Sequence, residues 1–256
     1  MVRKARCSVS AATLTRMRVA VLSDIHSNIV ALDAVLSDAG DVDAIWHLGD
    51  VVGYGPAPDA VVARLDERDA TGVRGNHDAA AIGGPEIDWF NPEARAAAEW
   101  TRDTIDDATR AWLSALPERR VIDDVLLVHG SPRDPLREYV TDRGAAEDNM
   151  AVQETQHALH GHTHVPVAWL ATTEGVALIR AEETDGVDLG TRRMLVNPGS
   201  VGQPRDGDAR ASYLVLDREI GRVTWHRVAY DIDRVQADMR AAGLPERLAA
   251  RLSFGL

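Results

Sequence analysis

The chain has 256 residues, 45% of them hydrophobic and 27% charged, which suits one well-buried globular domain and is short for two. A formal net charge of −12 repels polyanions and weighs against stable nucleic-acid binding. Cys7 is the only cysteine, which rules out an intrachain disulfide, and no apolar run approaches the roughly 20 residues of a membrane helix.

Residues 1–16 carry Arg3, Lys4, Arg6 and Arg16 but no apolar core of signal-peptide length. They read as a disordered extension ahead of a natural start at Met17, with a single domain over 17–256 and a cytoplasmic location. The apolar run 19–22 predicts a first strand, which leads into Ser23-Asp24-Ile25-His26. Ile29, Leu32, Val35 and Leu36 then lie on one helical face, with Gly40 as the stop. The run 44–48 predicts a second strand before Gly49-Asp50, followed by a turn-rich loop over 53–58 and a helix carrying Val61, Val62 and Leu65. A short third strand at 72–74 leads to Gly75-Asn76-His77-Asp78. The steps from Asp24 to Asp50 and from Asp50 to Asn76 are each 26 positions, the length of a βαβ unit.

Residues 92–116 read as helical, with Pro92 suited to a first helical position and apolar faces over 96–100 and 112–116. Val125–Val128 predicts a strand before His129-Gly130, and 131–150 a loop with a short helix that overhangs the site. Ala158-Leu159 leads into His160-Gly161-His162-Thr163-His164. Beyond that point, short apolar runs at 165–171, 176–181, 194–196, 213–216 and 223–227 predict antiparallel strands, and Ile232–Ala242 a closing helix. The fold class is α/β: a four-layer α/β/β/α sandwich of two mixed sheets with helices outside.

Asp24, His26, Asp50, Asn76, His77, His129, His162 and His164 thus follow successive predicted strands, which is how an α/β fold gathers a site from distant parts of a chain. Imidazoles mixed with carboxylate and amide oxygens, without thiolate, suit Mn, Fe, Zn or Ni. The blocks Asp24-Ile25-His26, Gly49-Asp50, Gly75-Asn76-His77-Asp78, His129 and Gly161-His162-Thr163-His164 resemble the calcineurin-like metallophosphoesterase superfamily. Ser23–Asn28, Gly49–Pro56 and Asn197–Arg205 are similar to its small bacterial and archaeal phosphodiesterase branch.

That resemblance implies two divalent ions, Mn²⁺ foremost. Asp24, His26 and His164 hold one, Asn76, His129 and His162 the other, and Asp50 bridges them. It implies hydrolysis of a small phosphoester, a phosphodiester first and a phosphomonoester or nucleotide as options. The attack is in-line, by a hydroxide shared between the ions, with His77 as general acid and Asp78 orienting it, although Asp78 equally suits a loop hydrogen bond or helix cap. Asn28 and Arg205 are candidate substrate contacts, although Asn28 equally suits a helix cap and Asn197–Arg205 a turn. Gly49, Gly75, Gly130 and Gly161 are expected to let backbone approach a phosphate. His47 reads as a satisfied core histidine, His157 and His160 as packing or surface residues, and Arg133 and Arg137 as surface residues that could instead reach substrate from the loop. Trp46, Trp100 and Trp112 read as core. A serine/threonine protein phosphatase would carry an Arg after the bridging aspartate and a Glu after the Asn-His pair, where Gly53-Tyr54-Gly55 and Asp78 stand. A non-catalytic scaffold of the same fold would lack ligands or His77. Oligomeric state is left open.

Overall fold

The computed structural model describes residues 17–256, and the expectation for 1–16 lies outside the described residues. In chain order the elements are β1 (Arg18–Leu22), α1 (Ile29–Ala39), β2 (Ala44–His47), α2 (Pro58–Asp66), β3 (Thr71–Gly72), α3 (Asn76–Ala81), α4 (Pro92–Thr104) and α5 (Asp107–Ala115). There follow β4 (Arg119–Ile122), β5 (Val125–Val128), α6 (Arg143–Val152), β6 (His157–Leu159), β7 (Val167–Thr172) and β8 (Gly175–Arg180). The chain ends with β9 (Val187–Asp188), β10 (Met194–Asn197), β11 (Ala211–Asp217), β12 (Arg222–Val228), α7 (Ile232–Ala241) and α8 (Glu246–Ala250).

Two six-stranded mixed sheets result, in the orders β3-β2-β1-β11-β12-β9 and β4-β5-β6-β10-β7-β8. The period-2 alternation of each strand explains why they stack. Val19 and Val21 of β1 face inward to meet Leu127, Leu159, Met194 and Val196 of the other sheet. Ala20 and Leu22 face outward onto Leu32, Val35, Val61 and Leu65 of α1 and α2. On the second sheet, Leu126, Val128, Ala158 and Leu195 point the other way, onto Ala146 and Met150 of α6. Helices therefore cover both outer faces, as expected from the sequence.

Within each sheet one group of three strands is parallel: β1, β2 and β3 in the first, and β5, β6 and β10 in the second. The loops after β1, β2, β3, β5 and β6 carry all the proposed ligands. The parallel β6–β10 pair corrects the expectation that every strand after His164 is antiparallel; β7, β8, β11 and β12 do pair antiparallel. Residues 92–116 are two helices: the backbone turns extended at Ile105, and Asp106 caps the second by accepting from the Thr109 amide (2.7 Å). The β4 strand was unsignalled: Arg119, Arg120 and Val121 are exposed on a sheet edge, where no hydrophobic alternation is demanded.

His47 departs from its expected role. It is fully buried and stacked on Trp112 with ring centroids 5.5 Å apart, but neither ring nitrogen has a hydrogen-bond partner. Trp46 is buried as expected, whereas Trp100 and Trp112 are only partly so.

Candidate metal centre

The turns after β1, β2 and β6 fold sharply, and the dihedrals record it. Nine described non-glycine residues have positive φ, and seven of them lie here: Asp24, His26, Ser27, Asp50, Tyr54, His162 and His164. Such backbone costs on the order of 1–3 kcal/mol per residue and persists only where its surroundings over-determine it. Part of that determination is a ladder of loop hydrogen bonds, from the amides of Asp24, His26 and Ser27 to the carbonyls of Gly49, Asp50 and Val51 (2.9–3.1 Å).

Two clusters form. Asp24, His26 and His164 present ligand atoms within 4.8 Å of one another, and so do Asp50, His129 and His162. In the first, Nε2 of His26 lies 3.2 Å from Nε2 of His164, which is 3.2 Å from Asp24 Oδ1. In the second, Nε2 of His129 lies 2.9 Å from both His162 Nδ1 and Asn76 Oδ1. Asp50 Oδ2 stands between the clusters, 3.7 Å from His26 Nε2 and 3.4 Å from His129 Nε2.

The hydrogen bonds on the far side of each ring fix where its lone pair points. The Nδ1 atoms of His26, His129 and His164 donate to the carbonyls of Val52 (3.2 Å), Leu48 (2.9 Å) and Gln203 (2.5 Å). Nε2 of His162 donates to the Arg137 carbonyl (3.2 Å). Each neutral imidazole thereby spends its one proton on backbone, and its bare nitrogen faces the centre. Lone pairs facing one another at about 3 Å repel unless a cation lies between them. Asp24 repeats the pattern: Oδ2 accepts from Ser23 Oγ (2.7 Å) and the His162 amide (3.1 Å), while buried Oδ1 has no hydrogen-bond partner. The donor set fits two divalent transition ions.

Electrostatics agrees. Burial holds all four imidazoles below their ordinary range, in the neutral form that binds metal, with His164 adding to the effect at His26, His129 at His162, and Arg205 at His164. Burial would raise Asp24, but the neighbouring His164, His129 and His26 overcome it and keep its carboxyl ionised. Burial and the charges of Asp24 and Asp78 push Asp50 up. A cation beside Asp50 reverses that logic.

His77 stands beside the ligands without joining either cluster. Its amide donates to Asp50 Oδ1 (2.8 Å), and its ring is wedged between Tyr54 (4.3 Å) and Phe90 (4.4 Å), with Nδ1 unpartnered. Of the two roles expected for Asp78, the structure shows the loop and cap role: it is tied to backbone. Its two oxygens accept from the Val52 and Gly75 amides (2.9 Å each), fixing the start of α3 and the loop after Asp50. Asn28 is likewise a cap, not a substrate contact: Oδ1 accepts from the Ala31 amide (3.0 Å) and Nδ2 donates to the Gly202 carbonyl (3.1 Å).

Arg205 does face the site. Its guanidinium lies 5.8 Å from the Tyr54 ring centroid, one nitrogen donates to Gln203 Oε1 (2.8 Å), and buried Nε has no partner. Arg133 is consumed by Glu138 and Asp148, and Arg137 by Glu86 (3.0 Å), so both pin the loop 131–142 down. Gly75 and Gly161 make room for ligands rather than for phosphate: a Cβ on the first would strike Asp50, and on the second Ser23 and Asp24. His160 and His157 are buried outside the clusters. Tyr54 and Tyr139 escaped the sequence reading. Tyr54 packs on His26 (4.6 Å) and Tyr139 stacks on His162 (3.7 Å), and a tyrosine in a loop carries no spacing signal.

Comparison with known proteins agrees with this geometry. Residues 17–220 match the calcineurin-like phosphoesterase superfamily domain. An uncharacterized protein of Methanocaldococcus jannaschii is 34% identical over 94% of this chain and all of its own length. Phosphodiesterase YfcE of Escherichia coli K12 is 26% identical over 80% of this chain and 89% of its own. Among solved structures, a metallophosphoesterase from Sphaerobacter thermophilus superposes with a TM-score of 0.85 at 46% identity, covering 94% of this chain and 100% of that one. With two buried His/Asp clusters at the carboxyl ends of its parallel strands, the chain belongs to the calcineurin-like phosphoesterase superfamily, in its small bacterial and archaeal branch.

Proposed function

We propose that this protein is a dinuclear metal-dependent phosphodiesterase acting on a small substrate, with Mn²⁺ in both sites. The observation that carries the reading is the set of four imidazole lone pairs and two carboxylates converging on one buried centre, with His77 next to it and outside the ligand set. When bound, two such ions activate a water for in-line attack and neutralise charge on the phosphoryl oxygens.

Asp24, His26 and His164 would hold one ion and Asn76, His129 and His162 the other, with Asp50 placed to serve both. Arg205 offers its unpartnered Nε to a phosphate oxygen, the charge-assisted contact that suits a guanidinium. His77 donates a proton to the departing oxygen. Burial, followed by the charge of Arg205, keeps its imidazole neutral in the free protein, so it acquires that proton alongside the substrate anion, whose charge offsets both effects. Tyr54 and Phe90 fix the ring and Asp50 fixes its backbone, so the acid is positioned before substrate arrives. A single cysteine, which leaves no intrachain disulfide to form, supports a cytoplasmic location.

The test is turnover of bis-p-nitrophenyl phosphate by metal-analysed protein with Mn²⁺, before and after chelation. Turnover that appears with metal and vanishes with chelator is expected. Absence of metal-dependent turnover on any phosphoester would leave a non-catalytic scaffold as the function.

A further inference from the structure

Two hollows open beside the metal centre, with Tyr139 forming a wall of each. The larger, about 540 Å³, is lined by Tyr54, Tyr139, Arg205, Arg247, Arg251 and Glu93 among others. The smaller, about 210 Å³, is lined by Trp89, Phe90, Tyr139, Asn76 and His162. The first adjoins the Asp24/His26/His164 cluster, through Tyr54 packed on His26. The second reaches the other cluster directly, through the ligands Asn76 and His162.

The larger hollow runs against the composition of the chain. There are 40 acidic residues and 28 basic ones overall, yet the charged side chains lining it are three arginines and one acid, Glu93, with the carboxyl group of the last residue, Leu256, as a second anion. Glu93 answers Arg247 alone, at 3.5 Å. Arg251 is bonded to an oxygen of the carboxyl-terminal Leu256, whereas Arg205 is bonded only to neutral Gln203 and has no acid beside it among the described residues. Burial, then the charges of Arg205 and Arg247, hold Arg251 below its usual range against the opposing Tyr54. Cations gathered so that they repel one another mark a site for an anion. One phosphate at the metals does not account for three arginines, two of them supplied by α8 and the turn after it.

The smaller hollow offers aromatic surface. Trp89 is 77% exposed and Tyr139 49%, and the Arg137 guanidinium lies 5.8 Å over the Trp89 ring. Exposed flat rings beside a centre built for phosphate suit a stacking base.

We propose that the substrate is a nucleotide bearing at least one phosphate beyond the one held at the metals. Arg205, Arg247 and Arg251 bind that extra phosphate, and Trp89, Phe90 and Tyr139 receive the base. The proposal rests on the phosphoesterase reading and narrows its substrate class.

The test measures inhibition of bis-p-nitrophenyl phosphate turnover by AMP and by α,β-methylene-ADP, on Mn²⁺-loaded protein at fixed free Mn²⁺. The diphosphate analogue should inhibit about tenfold or more tightly than AMP, since an added charge-assisted contact is worth that factor or better. The double variant Arg247→Gln/Arg251→Gln should abolish most of this preference. Arg247 is 83% exposed at its side chain, so Arg247→Gln alone should fold and lose part of it. Trp89→Ala should weaken both nucleotides by similar factors. Equal inhibition by the two nucleotides, or a preference that survives both arginine changes, would overturn the proposal. Should the diester not be turned over at all, the earlier reading fails instead. Calorimetric binding of the same two nucleotides to the Mn²⁺-loaded protein then decides this one by the same ratio.

Discussion

His77 and Asp50 are neighbours with separable jobs, and single substitutions should separate them. On the proposed mechanism His77 supplies a proton, and it adds no ligand atom to either cluster, so His77→Ala should keep two ions per chain while kcat falls by about 10²–10⁴-fold. Elemental analysis alongside steady-state kinetics checks this, and loss of metal in step with activity would contradict the acid role. Asp50 Oδ2 faces both clusters, at 3.7 and 3.4 Å from their histidines. Asp50→Ala should therefore bring occupancy below one ion per chain under conditions that load the native protein with two.

His47 makes a different kind of prediction. Burial, with Arg120 nearby, pushes its imidazole down to about 3, whereas in the unfolded chain it titrates near 6.5. Between those values only the unfolded chain takes up the proton. Its contribution to stability is therefore complete above about pH 6.5 and is lost at about 1.4 kcal/mol per pH unit as acid is added. Urea unfolding of His47→Leu from pH 7 to 5 should show a shallower decline than the native protein. Parallel declines would mean that the imidazole is hydrated or paired.

At the scale of elements, the centre depends on how closely the β3–α3 turn approaches the β2 loop. Gly75 lies against the Asp50 carboxylate, and the Asp78 carboxylate clasps the Gly75 and Val52 amides across the same gap. Gly75→Ala should displace Asp50 and disable both metal sites, whereas Gly83→Ala, with open space around the added Cβ but a strained φ, should cost stability alone. Metal titration followed by calorimetry distinguishes the two. The loop 131–142 serves this geometry as a strap. Arg133 and Arg137 anchor it to α6 and to Glu86, its Arg137 carbonyl holds the His162 tautomer, and its Tyr139 covers that ring.

For the whole molecule, metal and fold are linked. The loops hold seven strained residues and facing lone pairs at a place buried between the two sheets' parallel strands. Ions that bind only the folded chain relieve that repulsion and add stability, on the order of 4 kcal/mol at a thousandfold excess over the dissociation constant. Chelation should lower the melting temperature by several degrees, and Mn²⁺ should restore it in a concentration-dependent way. A melting temperature indifferent to both would contradict a built metal centre. Among the described residues no helix is long and apolar enough to cross a membrane.

The sequence by itself determined the alternation of strands and helices, the two-sheet class and the identities of the histidine and acidic side chains that converge on one centre. Those features are written in local periodicity and in short blocks at strand ends, where backbone geometry forces particular side chains. Much of the rest came from contacts between residues far apart in the chain. Asp78 and Asn28 cap through local amides, of Gly75 and Ala31, but what fully occupies them is a second partner far along the chain, Val52 and Gly202, 26 and 174 positions away. The β6–β10 pairing is parallel because a long excursion separates the strands, and no single run encodes direction. Arg247 and Arg251 reach the site only because α8 folds back over α4 and Tyr54, and nothing in their immediate neighbours announces it. Which ring nitrogen each histidine turns to the centre was settled by carbonyls of other loops, since an imidazole has one proton to give and the fold decides where it goes.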